Sequence, residues 1–317
     1  MKDFPLVSIC IPAYNAAKYI AETLNSVFLQ TYENIEVIIV NDGSEDDTLE
    51  ILNNYTSNKV IVINQENRGQ CAAANRAFEQ SNGDYIKFLD ADDLLSANFI
   101  EDQVIALRNT SNVIASASWG RFYNNDVNTF KLSTEEVWKD MKSIEWLKTS
   151  LASGNNMMQC GLWLIPRNIL LISGLWDERL NLINDFEFFI RVLLKSKEIR
   201  FVKDAILYYR SGIENSLSNQ KTKKAYESAY LSISLGLEYL LNYENSNLIR
   251  KIAADIYQNL SYDLYLNHPK LYTLVTQKIK QLGGSRLPFP AGDKTRILVN
   301  IFGWKLVKFT KNLMGLK

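Results

Sequence analysis

The sequence predicts an α/β fold with a mostly parallel sheet, followed by a helical C-terminal region, and three observations lead to this prediction. Short runs rich in valine and isoleucine alternate with amphipathic stretches through residues 1–125. These runs are apolar almost throughout, as strands are when helices cover both faces of a parallel sheet. After residue 222 the apolar spacing changes to a helical period.

Five runs are expected to form strands, each bounded by turn residues or helix-capping residues. They are residues 6–12, 35–42, 59–65, 85–92 and 113–122. Helical periodicity fills the intervals, at residues 16–30, 46–57, 69–81 and 96–108. The first four runs end in polar clusters. Parallel strands would place those clusters along one rim, where open α/β sheets bind their ligands.

Residues 133–210 are expected to extend the same sheet. Their pattern alternates helix-like residues 133–151, strand-like residues 157–166, helix-like residues 185–196 and strand-like residues 199–210. Helical spacing continues through residues 222–268, and glycine and proline break the chain at residues 283–293. We therefore expect one α/β domain over residues 1–218 and a helical region over residues 219–317.

Charge and composition exclude several classes of protein. The 317 residues carry 35 basic and 35 acidic side chains, so no global positive field favours nucleic acid as a partner. Three widely spaced cysteines, Cys10, Cys71 and Cys160, are expected to be buried thiols of a reducing compartment. The sequence shows neither a signal peptide nor an apolar run long enough to cross a membrane. We expect a cytoplasmic protein, either soluble or peripheral to a membrane.

Asp90, Asp92 and Asp93 crowd the end of the fourth predicted strand, within YIKFLDADDLL. Asp90 and Asp92 are two residues apart, so an extended backbone points both side chains the same way. Clustered carboxylates repel one another unless a cation or a proton relieves them, and Mg2+ and Mn2+ prefer oxygen ligands. An isolated DxD sequence more often consists of solvated carboxylates with a turn at Asp93, so the cluster alone does not establish a metal site.

Two other strand ends offer side chains that can bind a nucleotide. Asp42, at the end of VIIVND, can accept a hydrogen bond from a base or a ribose, or can simply mark the entry to a helix. Pro12 and Tyr14 end the first strand, where the tyrosine ring can stack on a base or shield the sheet edge.

Together these motifs resemble the family 2 glycosyltransferases, inverting enzymes of the type that builds bacterial surface polysaccharides. The resemblance rests on VSICIPAYN, VIIVNDGSEDDT, NRGQCAAANRA, DYIKFLDADD and GLWDERLNLINDFEFF, which occur in order across residues 5–210. It implies the GT-A fold, an α/β/α arrangement with a Rossmann-like nucleotide-binding sheet. It also implies that residues 1–125 bind the nucleotide and that residues 126–218 face the acceptor.

The resemblance gives individual residues a role in donor binding. It implies that Pro12, Tyr14 and Asp42 contact the base and the ribose. It also implies that Asn67 and Gly69, in the NRGQ segment, lie near the nucleotide.

The resemblance also implies a catalytic set. Asp90 would contact the ribose or a divalent metal, Mn2+ or Mg2+, and Asp92 would bind the metal that holds the donor diphosphate. Asp185, in NDFEFF, is the expected general base. Trp176 and Trp163 are acceptor-side candidates, for which ordinary core packing is the alternative.

Three departures from the family pattern affect this expected site. Asn184 replaces a glutamate beside the expected base, and Ala74 replaces a frequent arginine. No histidine follows the YYR segment to complete a metal site, so metal binding is expected to use the aspartates, phosphates and water. His268, the only histidine, is expected at a surface or a helix end.

The C-terminal segment, residues 294–317, has a basic amphipathic pattern. It contains six basic residues and no acidic one, and its large apolar side chains recur on one helical face: Leu298, Phe302, Leu306, Phe309 and Leu313. Such a helix can lie in an anionic membrane interface. Docking onto the chain's own domain or onto a neighbour is an equal alternative.

The sequence therefore predicts a metal-dependent inverting glycosyltransferase that uses a nucleoside-diphosphate sugar, expected to be UDP-linked, and a glycan or lipid-linked acceptor. Two alternatives stay open. Asn184 and the missing histidine would suit a degenerate protein that binds nucleotide sugars or acts as a scaffold. A sugar nucleotidyltransferase should show a glycine-rich GxGTR loop, where this chain has PAYNAAK.

Overall fold

The computed structural model describes residues 4–55, 57–155, 157–213 and 221–314. The expected boundary between residues 218 and 219 lies outside these residues. So does most of the segment after YYR in which relatives carry a histidine. The described residues form two sheets with surrounding helices, followed by a group of C-terminal helices.

The first sheet has five strands: β1 Val7–Ala13, β2 Ile35–Asp42, β3 Val60–Gln65, β4 Tyr85–Phe88 and β9 Ile165–Pro166. Their order is β3-β2-β1-β4-β9, and every pair is parallel except β4 with β9. The predicted parallel sheet is therefore confirmed. The fourth strand ends at Phe88, earlier than predicted, because the backbone then closes a turn in which the Asp93 N–H donates to the Asp90 carbonyl.

Four helices connect the early strands, and each lies within its predicted range: α1 Ile20–Phe28, α2 Thr48–Asn53, α3 Gln70–Glu79 and α4 Phe99–Leu107. Helix α3 packs on β1 and β2. Its buried face includes the small residues Ala73 and Ala77, which let the helix backbone approach the sheet closely. The loops that lead into α1, α2 and α3 therefore lie side by side at one end of the sheet.

A second sheet contains β5 Leu94–Leu95, β6 Val113–Tyr123, β7 Asp126–Leu132, β8 Met141–Lys142 and β10 Glu198–Ser211. The prediction that residues 133–210 extend the first sheet is correct for β9 alone and wrong for β8 and β10, which belong to the second sheet. Strand β10 pairs in parallel with β6, and in the described chain only a bridge between Ala115 and Leu164 links the sheets outside the named strands. The reason is that β9 occupies the open edge of β4, and Pro166 suits such an edge position because it cannot donate to another strand.

Three helices belong to this second half: α5 Ser143–Leu151, α6 Arg167–Ser173 and α7 Asn184–Lys195. Helix α5 is only the last part of the predicted helix over residues 133–151. The predicted strand over residues 157–166 shrinks to β9 because Cys160–Leu162 forms a 3-10 turn. At its centre, Gly161 packs so closely on Leu207 that an added Cβ would lie 2.9 Å from it.

Five helices complete the described chain: α8 Lys223–Tyr243, α9 Asn247–Leu264, α10 Pro269–Gln281, α11 Asp293–Phe302 and α12 Trp304–Leu313. Thr222 and Ser246 cap α8 and α9, since their side chains accept hydrogen bonds from backbone N–H groups of the first turn. The single helical face expected for the basic segment is broken at Gly303, whose φ of 76° is a conformation that glycine adopts readily.

Cys10, Cys71 and Cys160 are free and buried, as predicted. Among the described residues, no helix combines the length and the apolar character that crossing a bilayer requires.

Candidate active site

A deep cleft of about 1680 Å³ opens at the carboxyl ends of β1, β2 and β4. Its lining contains every residue that the sequence predicts for donor binding and catalysis: Pro12, Tyr14, Asp42, Asn67, Gly69, Asp90, Asp92 and Asp185. The C-terminal helices also contribute to the lining, including part of α12. The polar rim expected from the strand ends is thus part of a concave site of the kind that binds ligands.

The loops after β1 and β2 are tied to each other at the cleft entrance. The Asn15 N–H donates to Ser44 Oγ at 3.0 Å, and Asn15 Oδ1 accepts from the Glu45 N–H at 2.8 Å. Asn15 has a φ of 48°, a left-handed conformation that asparagine tolerates. These bonds fix the neighbouring Tyr14, whose side chain is 48% exposed and whose ring can therefore stack on a base.

Asp42 organises the turn that precedes α3. Its buried carboxylate accepts hydrogen bonds from the N–H groups of Arg68 at 2.9 Å and Gly69 at 2.8 Å. Gly43 approaches the same turn so closely that an added Cβ would lie 2.7 Å from the Asn67 nitrogen. The first role of Asp42 is therefore to hold Asn67 and Gly69 in place, and a nucleotide could use only its remaining lone pairs.

Asp90, Asp92 and Asp93 converge directly after β4. One carboxylate oxygen of each lies within 4.8 Å of the others. Burial raises the pKa of all three carboxyl groups, and the charge of Asp90 adds to the effect on Asp92, whose pKa rises to about 7. Holding the three carboxyl groups together therefore costs free energy, and binding of a proton or a cation would reduce this cost.

Arg210 anchors this acidic loop to the second sheet. Its N–H donates to Asp93 Oδ1 at 2.9 Å, and its Nε donates to the Asp92 carbonyl at 2.7 Å. The buried guanidinium also pairs with Glu22 at 2.7 Å. Asp93 is thus more than the turn residue that the sequence suggested. Arg210 was missed because Asp93, Asp92 and Glu22 lie 117, 118 and 188 positions away in the chain, although the YYR motif itself was visible.

The three carboxylates fit a hard divalent cation. They bring three oxygen donors together, and Asp93 Oδ2 is buried with no hydrogen-bond partner in the described part of the chain. Asp90 and Asp92 line the cleft, whereas Asp93 is bonded to β10. Asp90 and Asp92 are therefore the residues that would hold Mn2+ or Mg2+.

Gln70, the first residue of α3, connects the acidic cluster to the predicted base segment. Its Nε2 donates to Asp90 Oδ1 at 2.9 Å, and its Oε1 accepts from Asn184 Nδ2 at 3.2 Å. Asp185 follows at the start of α7, and its pKa is raised well above the usual range because the cleft encloses it and Asp90 is charged nearby. Asn184, which replaces the family's glutamate, thus has a partner that suits an amide. No motif had pointed to Gln70 as a separate site residue.

The backbone that leads into α7 has an unusual conformation. Ile183 has a φ of 57°, which is an outlier for a β-branched residue. Two serines of α8 hold this segment: Ser228 accepts from the N–H groups of Asn181 and Leu182, and Ser232 donates to the Ile183 carbonyl. A C-terminal helix therefore positions the segment that carries Asp185.

Both tryptophans proposed for the acceptor side lie in the core. Trp176 stacks on Phe188 with ring centroids 3.8 Å apart, and Trp163 lies 5.5 Å from the ring of Phe189. Because both indoles are buried, neither offers a ring face to a sugar here, and core packing describes them better. His268 lies at the N-terminal end of α10, one of the two places expected for it.

The part of the cleft lining that follows residue 220 in the chain is basic. Four lysines belong to it: Lys221, Lys224, Lys308 and Lys311. The pattern of residues 294–317 left a membrane interface and docking on the chain's own domain or a neighbour as equal expectations, because the position of α12 against α9 cannot be predicted from it. That position is fixed by Trp304, whose ring meets Tyr262 edge-on with centroids 4.9 Å apart.

Comparison with known proteins gives a consistent result. The family model described as Glycosyl transferase family 2 matches residues 8–170. An uncharacterized glycosyltransferase of Rickettsia typhi is 34% identical over 194 residues, which cover 60% of this chain and 59% of the relative. The chain therefore spans about three fifths of that relative's length.

Solved structures share the fold. TarS of S. aureus, residues 1–349 in complex with UDP-GlcNAc, matches with a TM-score of 0.72 at 20% identity, covering 98% of this chain and 92% of that one. The mannosyltransferase PcManGT from Pyrobaculum calidifontis, in complex with GDP-Man and Mn2+, matches with a TM-score of 0.55 at 13% identity, covering 100% and 89%. These matches confirm the predicted GT-A fold. Because the family model covers more than half of its residues, this chain belongs to glycosyl transferase family 2.

Proposed function

We propose that the chain is an inverting glycosyltransferase that moves a sugar from a UDP-linked donor to a hydroxyl of a glycan or lipid-linked acceptor in cell-surface polysaccharide synthesis. The observation that carries this proposal is the hydrogen-bonded connection from Asp90 through Gln70 to Asn184. It brings the acids suited to a donor diphosphate and the acid suited to an acceptor hydroxyl into one cleft. TarS in complex with UDP-GlcNAc, the better structural match of the two, favours UDP over GDP.

The donor lies against the ends of β1 and β2 in this proposal. Tyr14 stacks on the base, Pro12 shapes the floor beneath it, and the remaining lone pairs of Asp42 face the ribose. Asn67 and Gly69 line the path toward the diphosphate. Residues 1–125 thus bind the donor, and residues 126–218 with the C-terminal helices face the acceptor.

Asp90 and Asp92 would hold Mn2+ or Mg2+ in the same proposal. When bound, the cation supplies positive charge to the diphosphate leaving group. Arg210 keeps the Asp92 backbone in place through its 2.7 Å hydrogen bond, and Gln70 orients Asp90. Both contacts are already formed in the protein without substrate.

Asp185 acts as the general base. Its ionised carboxylate accepts the proton of the acceptor hydroxyl while that oxygen bonds to the anomeric carbon and the bond to the diphosphate breaks. A single displacement inverts the anomeric centre, and the nucleoside diphosphate departs. Burial suits this role, because a base whose pKa lies nearer to neutral pH accepts a proton more readily.

The experiment combines a donor screen with one variant. UDP-, GDP- and dTDP-sugars are tested for a rise in melting temperature with Mn2+, since a ligand that binds only the native state stabilises it by mass action. Donor turnover is then measured for the wild type and for Asp185→Asn. We expect a UDP-sugar to bind both proteins alike, and turnover to fall at least about 100-fold in the variant.

The same experiment separates the alternatives. Donor binding without turnover in the wild type would favour a degenerate binding or scaffolding protein and contradict the proposal. Formation of a nucleotide sugar from a nucleoside triphosphate and a sugar phosphate would indicate a nucleotidyltransferase. Equal turnover in wild type and variant would remove Asp185 from its proposed role.

We also propose that α11 and α12 contact an anionic membrane peripherally. Their outward side chains are large, apolar and exposed, among them Ile297, Ile301, Phe302 and Leu313. Three basic residues of this segment do not line the cleft, Lys294, Arg296 and Lys305, and their charge complements anionic headgroups. Ile297→Ser/Ile301→Ser should release the protein from phosphatidylglycerol vesicles but not alter its melting temperature. Equal vesicle binding by wild type and variant would contradict this contact.

A further inference from the structure

The basic part of the cleft lining consists of two segments that are distant in sequence. Lys221 lies just before α8, Lys224 lies in the first turn of α8, and Lys308 and Lys311 lie on α12. Asp263 of α9 also lines the cleft, and it is close enough for the charges of Lys308 and Lys221 to act on its carboxylate. Four cations therefore share this part of the lining with one carboxylate.

These lysines have no close acidic partner. Among the described residues, none of the four forms an ion pair within 4.0 Å, although Lys308 Nζ donates to the Tyr262 carbonyl. Lys308 is half-buried, and this burial lowers the pKa of its ammonium group; the charge of Asp263 opposes the effect and that of Lys221 adds to it. One carboxylate does not balance four ammonium groups, so this part of the cleft keeps a net positive charge that an anion would stabilise.

The charged residues that line the cleft come from two parts of the chain. Asp42, Asp90, Asp92 and Asp185 belong to the α/β part, which also supplies basic side chains to the lining, whereas the four lysines all follow residue 220. Lys18, Arg68, Arg121 and Arg179 are those other basic residues. A donor diphosphate near Asp90 and Asp92 has these cations of the α/β part beside it in sequence, which leaves the four later lysines to another anion. An acceptor whose hydroxyl meets Asp185 would extend toward them.

We propose that Lys221, Lys224, Lys308 and Lys311 bind a phosphate group of the acceptor, distant from the hydroxyl that is glycosylated. This assignment rests on the proposed glycosyl transfer. A phosphodiester or diphosphate suits four ammonium groups, since lysine binds phosphate as a compact point charge. Binding energy from this remote group orients the hydroxyl at the base.

A lipid headgroup is the other source of phosphate, and the position of the lysines favours the acceptor. Lys308 and Lys311 line the cleft, whereas the exposed apolar residues Leu306, Phe309 and Leu313 of the same helix do not. A vesicle in contact with the outer side of α12 would leave the cleft lysines available to the acceptor.

The test uses the full chain and a phosphodiester probe, a hexamer of glycerol phosphate, with maltohexaose as the uncharged comparison. Binding is measured by titration calorimetry in low salt, with and without UDP and Mn2+. The double variant Lys224→Gln/Lys311→Gln removes two cleft charges. The matched control is Lys223→Gln/Lys305→Gln, because Lys223 pairs with Glu227 and Lys305 lies over tyrosine rings, and neither lines the cleft.

We expect the wild type and the control to bind the phosphodiester, and the cleft variant to bind it at least about tenfold more weakly, with a shallower salt dependence. Equal affinity of cleft variant and control, or wild-type binding no tighter than for maltohexaose, would overturn the inference. A third arm uses phosphatidylglycerol vesicles. If the cleft variant lost vesicle binding but kept the phosphodiester, the lysines would serve lipid headgroups and the inference would also fail.

The outcomes separate this inference from the proposed function. Failure to bind UDP would count against the proposed donor only, because the lysine comparison is also made without UDP. Normal UDP binding and donor turnover with no phosphodiester binding would remove the lysine site only. Unchanged melting temperatures of both double variants would show that the fold is intact.

Discussion

Gln70 links the two acidic parts of the site with both ends of one side-chain amide. Its nitrogen donates to Asp90 and its oxygen accepts from Asn184. A glutamate at position 184 could only accept, so Gln70 would have to turn its nitrogen toward that position and leave Asp90. Asn184 and Gln70 are therefore matched to each other, and the departure from the family pattern is not by itself a sign of lost function.

The pH dependence of turnover tests this arrangement at residue scale. The base must be ionised, so kcat/KM should rise with pH through the raised pKa of Asp185, above the ordinary carboxylate range. Asn184→Asp adds a like charge beside Asp185 and should move this rise to higher pH by about one unit. Asn54→Asp, which adds the same charge outside the cleft, should not. A rise at the same pH in Asn184→Asp would contradict the proposed identity of the base.

Some residues of the site could be predicted from the sequence, and others could not. Asp42, Asp90 and Asp92 could be predicted because strand ends in a parallel sheet fall on one rim, and motif spacing named them. Arg210 and Gln70 could not, since their importance comes from hydrogen bonds to partners far along the chain. The choice between an acceptor-side and a core position for Trp176 could not be made from the sequence, because burial of the indole depends on Phe188, whose position no local pattern gives.

At the scale of elements, helix α8 supports the start of α7. Ser232 donates to the carbonyl of Ile183, the residue with left-handed backbone, and thereby stabilises the strained turn before Asp185. Ser232→Ala should cost about 1 kcal/mol of unfolding free energy. It should also lower kcat while leaving the KM for the donor unchanged, because the donor side of the cleft is not touched.

Ser234→Ala on the same helix is the matched control. Ser234 accepts a hydrogen bond from the Tyr257 hydroxyl at 3.2 Å, so its loss also removes one bond. Urea unfolding and steady-state kinetics of both variants make the comparison. The positioning role of Ser232 would be refuted if the two variants lost kcat equally.

Strand β4 carries a buried cation, Lys87, directly before the acidic loop. Its ammonium group donates to the Gly161 carbonyl and lies 4.0 Å from the centre of the Phe99 ring. Burial lowers the pKa of Lys87 to about 7. The unfolded chain, with an ordinary lysine pKa, thus binds more protons than the native state between pH 7 and about 10.

Stability should therefore rise with pH in this window because of Lys87. From pH 7 to pH 9 the wild type should gain about 2 kcal/mol of unfolding free energy relative to Lys87→Met, in which no group titrates at this position. Urea unfolding of the wild type and of Lys87→Met at pH 7 and pH 9 gives this difference in unfolding free energy. The other titrating groups contribute equally to both proteins, so their effect cancels. The same pH dependence in both proteins would show that Lys87 titrates normally.

At the scale of the whole molecule, the early strands and helices followed from local patterns, whereas the arrangement of sheets did not. Residues 85–88 and 113–123 both read as buried strands, yet they belong to different sheets because β9 arrives from residue 165 to occupy the edge between them. Likewise, Gly303 divides the basic segment, and only three-dimensional contacts show that α12 returns to the cleft. The periodicity of the sequence does not indicate which distant strands pair or which distant helices pack together.

An aromatic group holds α12 in that position. Trp304 stacks on Phe289 with centroids 5.7 Å apart and meets Tyr262 and Tyr265 edge-on at 4.9 and 5.0 Å. Each such pair contributes about 0.5–1.5 kcal/mol beyond its buried area. Since the same helix supplies Lys308 and Lys311 to the cleft, its docking should control the acceptor side of the site.

Trp304→Ala should therefore detach the last two helices without unfolding the α/β domain. We expect residues 289–314 to become sensitive to limited proteolysis and the KM for the acceptor to rise about tenfold, a loss of roughly 1.4 kcal/mol, with the KM for the donor unchanged. Phe302→Ala is the control, because this ring is 57% exposed on α11. If Trp304→Ala resisted the protease as well as Phe302→Ala does, other contacts would hold the last two helices in place. If the KM values for donor and acceptor rose equally, α12 would lie at the donor side instead.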